Sequence, residues 1–376
     1  MRDAYVIGAG MIRFGKYPDR WAEELGEEAA WNAIKDARIN PRQVQAAFCG
    51  HSFQGRVAGQ RILKRMGIQG IEVVNIENAC TGGSTCFRQA YLSVSSGLYD
   101  LVLAIGVEKM SEGLILPNLE DIDGLMGRIM PGQYAMRAQR HMFEYGTTLR
   151  QLAEVSEKNH RYGALNPYAQ YQKECSIEEV LNSRMIADPL TLLQCCPAGD
   201  GAAAAMIACR KIARRYSSRP VKIAASVLKS GLPYDTNSDW AFAEITNRGA
   251  KEAYERAGIV PQDIDVCELH DCFSIAEIIH YEGLEFCRRG EGGKFIEEGK
   301  SEIGAMVAVN TSGGLLSKGH PLGATGMAQV FEIVQQLRGE AGKRQVPDAK
   351  VGMTHTMGGA IPEIEVGSCA IHIFAV

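Results

Sequence analysis

The 376-residue sequence lacks any apolar run of the length that a transmembrane helix needs. It also lacks an excess of basic charge, because 40 Lys and Arg residues stand against 44 Asp and Glu residues, for a net charge of -4. A nucleic-acid partner is therefore not expected, since no surplus of cations is available to neutralise phosphates. Residues 1–8 are interrupted too soon for a secretory leader, so we expect a cytoplasmic protein that does not engage a membrane.

Disulfide, nucleotide-binding and hydrolase patterns are missing too. The 11 cysteines form no CxxC pair and no extracellular disulfide framework, so we interpret them as reduced thiols and expect no metal site. Segment 8–13 lacks the third glycine of a dinucleotide loop, and segment 290–294 lacks the first glycine and the Ser/Thr of a phosphate loop. No GxSxG nucleophile elbow occurs.

The sequence does contain an internal repeat. Residues 29–53 resemble residues 249–273, and both copies have the pattern of an amphipathic helix, a turn beginning at proline and a short apolar strand. The recurring residues are Ala30, Ala33, Ala37, Ile39, Pro41 and Phe53 in the first copy and Ala250, Ala253, Ala257, Ile259, Pro261 and Phe273 in the second. The repeat indicates a chain built from two related halves.

Each half also carries a strand, a glycine-containing loop and a helix. Strand 73–76 leads into loop 78–83, and strand 307–310 leads into loop 313–323. The apolar stripes of the helices that follow, spaced i, i+3, i+4 and i+7, are Phe87, Ala90, Tyr91 and Val94 in the first half and Met327, Val330, Phe331 and Val334 in the second. Alternation of strands and helices predicts an α/β fold with mixed sheets covered by helices.

Other segments have distinct patterns. Segment 101–107 is typical of a strand buried on both faces, and segments 351–356 and 368–376 can pair as antiparallel strands. Segment 111–195, rich in Met, Tyr, Asn and basic residues, has little strand pattern, so we interpret it as an excursion over the active face. The alanine-rich segment 200–209 predicts a return to the core.

Cys80 is the first candidate catalytic residue. It lies on a short glycine-containing loop directly before a helix, where the helix dipole and free backbone N–H groups favour a thiolate. Gly82 and Gly83 could also let the backbone approach a ligand closely. The alternative is an inert, buried thiol, which is what most cysteines in such chains are.

His320 is the natural base for such a nucleophile. Gly319 and Pro321 favour an extended backbone and keep the imidazole outside helical packing. Beginning a helix does not require a histidine, whereas a histidine is well suited to accept a proton from a cysteine. The alternative, in which Gly-His-Pro only begins a helix at Pro321, stays open.

His270 and Cys272 follow a predicted strand and precede a predicted helix. Strand ends that face helix starts are where α/β enzymes place reactive groups, so both side chains could reach one cleft. A metal site is the competing interpretation, but no second pair at ligand spacing supports it. Cys272 could also be a plain core thiol. Further along, Gly358 and Gly359 follow a strand and could present a backbone N–H to an oxyanion, or simply form a turn.

Together, NACTGG at 78–83, HDCF at 270–273, GHPLGATG at 319–326 and the late Gly-Gly turn resemble the thiolase superfamily. The nearest pattern is the branch of sterol-carrier-protein-type and archaeal acetoacetyl-CoA thiolases, which HMFEYGTT and KNHRYGALNPYAQYQ also resemble. The resemblance covers essentially the whole chain. It implies a five-layer αβαβα fold of two duplicated mixed-sheet halves with an inserted loop domain that contacts CoA.

The resemblance implies three domains. The N-terminal half would comprise residues 1–110 and 196–215, the loop domain residues 111–195, and the C-terminal half residues 216–376.

The resemblance also implies a mechanism. Cys80, activated by His320, would attack the 3-keto carbon of a 3-oxoacyl-CoA and form an acyl-cysteine. His270, through a water, and His320 would hold the thioester oxygen of the enolate, and Cys272 would protonate that enolate. The backbone N–H groups of Cys80 and Gly358 would form a second oxyanion hole. CoA, the co-substrate, would then release the acyl group, with no tightly bound cofactor.

One position departs from the family pattern. Most thiolases carry an acid/base cysteine in a Cys-x-Gly turn, and here Thr356 stands in its place. Threonine does not titrate near neutral pH, so the proton-transfer role falls to Cys272, as in the HDCF branch.

The resemblance leaves substrate and partners open. Acetoacetyl-CoA is the default substrate, and a bulkier compound such as benzoylsuccinyl-CoA is the alternative. A homodimer and a small zinc-ribbon/OB-fold partner protein are expected. Competing functions are a retro-aldolase-type homologue, which lacks the nucleophile, a ketoacyl synthase, to which HDCF is foreign, and a non-catalytic acyl-CoA-binding subunit. The presence of Cys80 and His320 argues against the retro-aldolase.

Overall fold

The computed structural model describes residues 1–110, 121–217, 219–234 and 239–376. The strands in these ranges are β1 (Ala4–Met11), β2 (Ala46–Gly50), β3 (Glu72–Ile76), β4 (Leu101–Glu108), β5 (Met185–Ala187), β6 (Leu190–Thr191), β7 (Gly201–Cys209), β8 (Val221–Lys229), β9 (Val266–Glu268), β10 (Ala308–Val309), β11 (Val351–Gly358) and β12 (Ser368–Ala375). The helices are α1 (Ala22–Ala37), α2 (Ala58–Met66), α3 (Gly82–Ser95), α4 (Ile122–Leu125), α5 (Met130–Tyr145), α6 (Leu149–Ala164), α7 (Ile177–Asn182), α8 (Arg210–Tyr216), α9 (Glu244–Ala257), α10 (Ser274–Gly283), α11 (Gly292–Glu297) and α12 (Leu322–Arg338).

Ten of these strands form one mixed sheet, which consists of two halves with the same connectivity. The first half has the order β3-β2-β4-β7-β1, and the second has the order β10-β9-β11-β12-β8. In both halves the first three strands are parallel and the last two are antiparallel to their neighbours. The two halves meet where β1 pairs with β8, at Tyr5–Lys222 and Val6–Val221. The duplication predicted from the repeat is therefore confirmed.

The central strands are buried on both faces, and this divides the molecule into layers. On β4, Leu103 and Ile105 pack in the cluster formed with α1 and α2, whereas Val102 and Ala104 pack in the cluster formed with α3 and α12. The second half of the sheet likewise lies between α3 and α12 on one face and α9 and α10 on the other. The predicted five-layer α/β architecture is thus confirmed.

The central helices α3 and α12 pack unusually closely because glycines line their contact. A Cβ added at Gly83 would lie 2.5 Å from the carbonyl oxygen of Gly323, and one added at Gly326 would lie 2.1 Å from Oγ of Ser84. At Gly83 the close approach therefore serves the packing of helix against helix and not a ligand, whereas a Cβ at Gly82 would meet the backbone of His51 at 3.4 Å. This packing places the first turns of α3 and α12 side by side.

The segment predicted as an excursion contains α4 to α7 and the small hairpin of β5 and β6, while its residues 111–120 lie outside the described part of the chain. Helix α6 packs against α10 and α11 of the second half. Lys158 of α6 is buried in an ion pair with Glu277 of α10. The excursion is therefore anchored beside the loop that carries His270 and Cys272. Among the described residues, none of the helices is both long and apolar enough to cross a membrane.

Candidate active site

Cys80 lies in a single 3-10 turn, Ala79–Thr81, that runs directly into α3. Ala79 has a φ of 47°, in the left-handed region that non-glycine residues rarely adopt. Its N–H donates to the Glu77 carboxylate at 2.7 Å, which helps to hold this turn. Such strain is typical of functional loops, and here it presents the half-buried Cys80 at the start of the helix.

His320 precedes α12, and its Nδ1 lies 2.7 Å from the Thr325 hydroxyl, which is also 3.0 Å from the carbonyl of Pro321. When the hydroxyl donates its single proton to that carbonyl, it accepts from Nδ1. In that tautomer Nδ1 carries the proton, and Nε2 is the nitrogen that can accept one. Thr325 belongs to the GHPLGATG motif, but its role became apparent only from these contacts.

His270 lies between β9 and α10, against His320. The two imidazole rings meet edge to face, with centroids 5.0 Å apart and planes at 81°. The Sγ of Cys80 and one nitrogen of each imidazole lie within 4.8 Å of one another. The structure thus brings together in one place three residues that are 190 and 50 positions apart in the sequence.

Cys272 follows two residues after His270 and is only 5% exposed. The hydroxyl of Tyr134 hydrogen-bonds to its sulfur and lowers the pKa of the thiol, while burial and the charges of Cys80 and Asp271 raise it, so that the net pKa lies above the ordinary value. Tyr134 comes from α5 in the excursion, and its ring stacks on Phe273 with centroids 4.6 Å apart.

Gly358 ends β11 against Cys80. A Cβ at Gly358 would lie 2.7 Å from the Cβ and 2.8 Å from the backbone N of Cys80, so only glycine fits here. This contact gives the late glycine pair a role that a simple turn would not require. Thr356, two residues earlier, is fully buried and donates its hydroxyl to Ser84 Oγ at 2.8 Å. It contributes to packing against α3 and offers no titratable proton.

The electrostatics differ from the expectation that the helix dipole favours a Cys80 thiolate. Burial and the nearby carboxylates of Glu108 and Glu77 raise the pKa of Cys80 to about 12, against a smaller lowering by a backbone hydrogen bond. Burial lowers the pKa of His270 to about 3 and, with the charges of His270 and Lys318, holds that of His320 well below its ordinary value. At neutral pH the free site therefore contains a thiol and two neutral imidazoles.

Two carboxylates that the sequence did not single out hold the site together. Asp271 accepts the backbone N–H groups of Leu315 at 2.7 Å and Leu316 at 3.3 Å, and the amide of Asn159 at 2.8 Å. It thereby ties the His270 loop to the turn that leads to His320. The HDCF motif contains Asp271, but no local signal shows that its partners lie more than 40 positions away.

Glu108, the second carboxylate, ends β4 and is fully buried. It accepts the backbone N–H groups of Ser52 at 2.8 Å and of Gly323 at 2.9 Å. Since Gly323 is in the first turn of α12, Glu108 offsets the positive end of that helix and fixes it to the loop after β2. No sequence pattern pointed to this residue.

The same three side chains have the donor types and the proximity that a metal ion would require. Cys80, His270 and His320 could each offer one ligand atom, as in sites with a sulfur and two nitrogens. A metal bound there would occupy the sulfur that the sequence predicts to be a nucleophile. The two roles are thus mutually exclusive at any one moment and can be separated by metal analysis.

Comparison with known proteins identifies the family. Residues 4–211 match the family model described as "Thiolase, N-terminal domain", and residues 224–366 match "Thiolase C-terminal domain-like". The chain therefore belongs to the thiolase family, and the resemblance inferred from the motifs is confirmed. It is an acyltransferase of this family, which makes or breaks carbon–carbon bonds in CoA thioesters.

Curated relatives match over nearly the full chain. The acetyl-CoA acetyltransferase of Methanothermobacter thermautotrophicus is 41% identical over 100% of both chains. Sterol carrier protein 2 of Bos taurus is 41% identical over 94% of this chain and 70% of its own length. The benzoylsuccinyl-CoA thiolase subunit BbsB of Thauera aromatica is 40% identical over 95% of each chain. The match to the archaeal and sterol-carrier-protein branch is thus confirmed.

A solved structure of similar fold carries a different activity in its title. The "Ltp2-ChsH2(DUF35) aldolase" superposes with a TM-score of 0.86 and 25% identity, over 99% of this chain and 98% of that chain.

Proposed function

We propose that this protein cleaves a 3-oxoacyl-CoA with CoA, or runs the reverse Claisen condensation, through an acyl group carried on Cys80. The observation that supports this most strongly is the proximity of the Cys80 sulfur to the imidazoles of His270 and His320, whose nearest ligand atoms lie within 4.8 Å of one another. This arrangement brings a nucleophile and a base into one site.

The first half-reaction begins with a neutral thiol. As the Cys80 sulfur attacks the C3 carbonyl carbon, its proton passes to Nε2 of His320. The reaction therefore needs no thiolate in the resting enzyme, which the high pKa of the Cys80 thiol disfavours. The C2–C3 bond then breaks, its electron pair becomes the enolate of the departing thioester, and the acyl group remains on Cys80. Proton transfer concerted with attack suits a buried pair, because separate charges are strongly disfavoured there.

The enolate needs both charge stabilisation and a proton. His270 and the protonated His320 would hold the thioester oxygen, and Cys272 would donate its thiol proton to C2; the proximity of the two imidazoles to Cys80 supports the first role. The backbone N–H groups of Cys80 and Gly358 would hold the tetrahedral oxyanion. Removing one such donor from comparable sites costs about 3–4 kcal/mol of barrier, so both holes are expected to matter.

The second half-reaction restores every group. The thiol of CoA attacks the acyl-Cys80 carbonyl and gives its proton to the Cys272 thiolate. The Cys80 sulfur then leaves and takes back the proton held by His320. The products are two CoA thioesters, and no external oxidant or reductant is needed.

Substrate, cofactor, partners and location are proposed on the basis of the relatives. CoA would be the co-substrate, with no tightly bound cofactor, and acetoacetyl-CoA or a bulkier 3-oxoacyl-CoA such as benzoylsuccinyl-CoA the substrate. The word "subunit" in the BbsB name and the DUF35 partner in the aldolase title support a heteromeric complex with a small partner protein. We also propose a homodimer, a cytoplasmic location, and the three-domain division at residues 110, 195 and 215.

The second candidate function is carbon–carbon cleavage without a cysteine nucleophile, which the similarity to the aldolase structure favours. The two functions differ in the fate of Cys80. A retro-aldolase would retain turnover in Cys80→Ala and would require a 3-hydroxyacyl-CoA.

The test is to assay acetoacetyl-CoA and longer 3-oxoacyl-CoAs with free CoA, with the wild type and Cys80→Ala. We expect thiolysis by the wild type and none by Cys80→Ala. Thiolysis at wild-type rate by Cys80→Ala, or cleavage only of 3-hydroxyacyl-CoAs, would overturn the proposed function.

A further inference from the structure

The buried cations of the described chain fall into two classes. Four of them have a carboxylate at ion-pair distance: Lys158 with Glu277, Lys318 with Glu268, Arg338 with Asp36, and Arg344 with Glu332. Arg137 of α5 is also buried, at 3% exposure, but among the described residues it has no carboxylate within 4.0 Å. A buried guanidinium without an anionic partner is strongly disfavoured, so this exception calls for a ligand.

The hydrogen bonds of Arg137 leave most of its donors unused. Its Nε is buried and has no partner among the described residues, and one Nη donates to the hydroxyl of Tyr234 over a long 3.4 Å. A guanidinium has five N–H donors in a planar fork, which matches the two oxygens of a carboxylate. The unused donors therefore suit an anionic group that arrives with the substrate.

Glu365 is the carboxylate whose charge Arg137 influences, but it is committed elsewhere. Both of its oxygens accept the backbone N–H of Ile245, at 3.1 and 2.9 Å, at the start of α9. The guanidinium lowers the pKa of Glu365, yet burial dominates and raises it. Glu365 thus makes no ion-pair contact with Arg137, and both of its oxygens are engaged by Ile245.

Arg137 adjoins the site on the side of Cys272. Its guanidinium carbon lies 5.8 Å from the centroid of the Tyr134 ring, which hydrogen-bonds to Cys272 and stacks on Phe273. The charge of Arg137 also lowers the pKa of the Cys272 thiol. With Cys272 as the proposed proton donor to C2, Arg137 lies on the side of the site where C2 would be.

We infer that Arg137, with Tyr134, forms a subsite for a carboxylate carried on C2 of the substrate, so that the preferred 3-oxoacyl-CoA has an acidic branch at that carbon. This inference rests on the proposed function and narrows its substrate class. Thiolysis of such a compound transfers the C3 acyl group to Cys80 and then to CoA, and it releases a CoA thioester that bears the free carboxylate.

Two substrates of equal carbon number test the subsite: 2-(carboxymethyl)acetoacetyl-CoA and 2-ethylacetoacetyl-CoA. With CoA, the first gives acetyl-CoA and succinyl-CoA, and the second gives acetyl-CoA and butyryl-CoA. We expect the wild type to prefer the carboxylate substrate in kcat/KM by about tenfold or more, and Arg137→Gln to lower that preference at least about tenfold, or about 1.4 kcal/mol, so that little preference remains. Arg137→Lys keeps the positive charge but loses the two parallel N–H donors, so its preference for the carboxylate substrate should lie between those of the wild type and Arg137→Gln.

Arg140→Gln is the matched control. Arg140 lies one turn further along α5, is half-exposed and pairs with Glu144, so its loss should leave the preference unchanged. A wild type without preference for the carboxylate substrate, or an Arg137→Gln variant that keeps the preference, would overturn the inference.

Inhibition of the wild type alone gives a second measurement, which holds even if Arg137→Gln does not fold. Succinyl-CoA should inhibit thiolysis of acetoacetyl-CoA at about tenfold lower concentration than butyryl-CoA, and equal inhibition would count against the subsite. If the enzyme cleaves acetoacetyl-CoA but shows no preference for the carboxylate substrate, the subsite is refuted and the proposed function stands. If no 3-oxoacyl-CoA is cleaved at all, the proposed function falls and the subsite falls with it.

Discussion

Replacing Thr325 with valine tests how the site activates Cys80. In the proposed mechanism the Thr325 hydroxyl, 2.7 Å from Nδ1 of His320, accepts the Nδ1 proton and so leaves Nε2 free to take the proton of the Cys80 thiol. Valine has nearly the same shape but no acceptor. His320 must then either bury an unpaired N–H, which costs about 1–3 kcal/mol, or move its proton to Nε2 and lose its function as a base.

Either outcome slows the acylation of Cys80. The penalty corresponds to a loss of about 10-fold to 100-fold in rate, at about 1.4 kcal/mol per tenfold. The assay is single-turnover acylation by acetyl-CoA, with quenched samples analysed by intact-protein mass spectrometry. Thr325→Ser keeps the acceptor and should retain most of the rate.

A second control removes a buried hydroxyl elsewhere. Thr354 on β11 is buried and its hydroxyl has no partner among the described residues, so Thr354→Val should acylate at nearly the wild-type rate. If Thr325→Val acylates as fast as wild type, or if Thr325→Ser is as slow as Thr325→Val, the assignment of His320 as the base through this tautomer is wrong.

Four other outcomes are expected. Cys272→Ala should slow thiolysis about 100-fold or more while acyl-Cys80 still forms from acetyl-CoA, and loss of acylation would show that Cys272 does more than protonate C2. Tyr134→Phe removes a hydrogen bond that lowers the pKa of Cys272, so deuterium exchange at C2 of acetyl-CoA, followed by NMR, should slow about tenfold; an unchanged rate would separate Tyr134 from this step. Burial lowers the pKa values of the buried histidines, so they take up protons below about pH 6.5 only when the protein unfolds, and they make the free energy of unfolding fall as the pH falls. In urea titrations, His280→Gln should lose about 1.4 kcal/mol less of this free energy between pH 7.5 and 5.5 than the wild type. An equal loss in both proteins would contradict this. Dialysis against a chelator should leave thiolysis intact, whereas a bound metal found by elemental analysis and lost together with activity would assign the three side chains to that metal.

The elements that the sequence predicts best are those governed by local periodicity. The apolar stripe of α12 and the glycine after it predict a helix that ends near Gly339, and the structure ends it at Arg338, with Gly339 in the left-handed conformation. The uninterrupted apolar segment 101–107 became β4, buried at every residue. In both cases the pattern within a few turns of chain carries enough information.

Features that depend on distant contacts were not predictable in this way. Gly83 was interpreted as leaving space for a ligand, but α12, some 240 residues away in sequence, fills that space. The helix dipole predicted a thiolate at Cys80, whereas burial and the carboxylate of Glu108 raise the pKa of its thiol. Local sequence does not reveal which distant carboxylate will lie beside a sulfur, or how much water the finished fold excludes.

The candidate residues could nevertheless be selected before their geometry was known. Cys80, His270 and His320 each lie at an end of a strand or at the start of a helix, and the topology brings these ends to one place. Their supporting residues, such as Asp271 and Glu108, could not be selected, because they act through backbone N–H groups of loops that the sequence does not position.

Mapping the acylated residue is the most direct test of the central claim. Cys272→Ala protein is incubated with acetyl-CoA, quenched in acid and digested, and the peptides are sequenced by tandem mass spectrometry. The mechanism predicts an acetyl group on the sulfur of Cys80 and none in the Cys80→Ala protein treated identically. An acetyl group on another residue, or catalysis by the wild type without any acyl-Cys80, would contradict it.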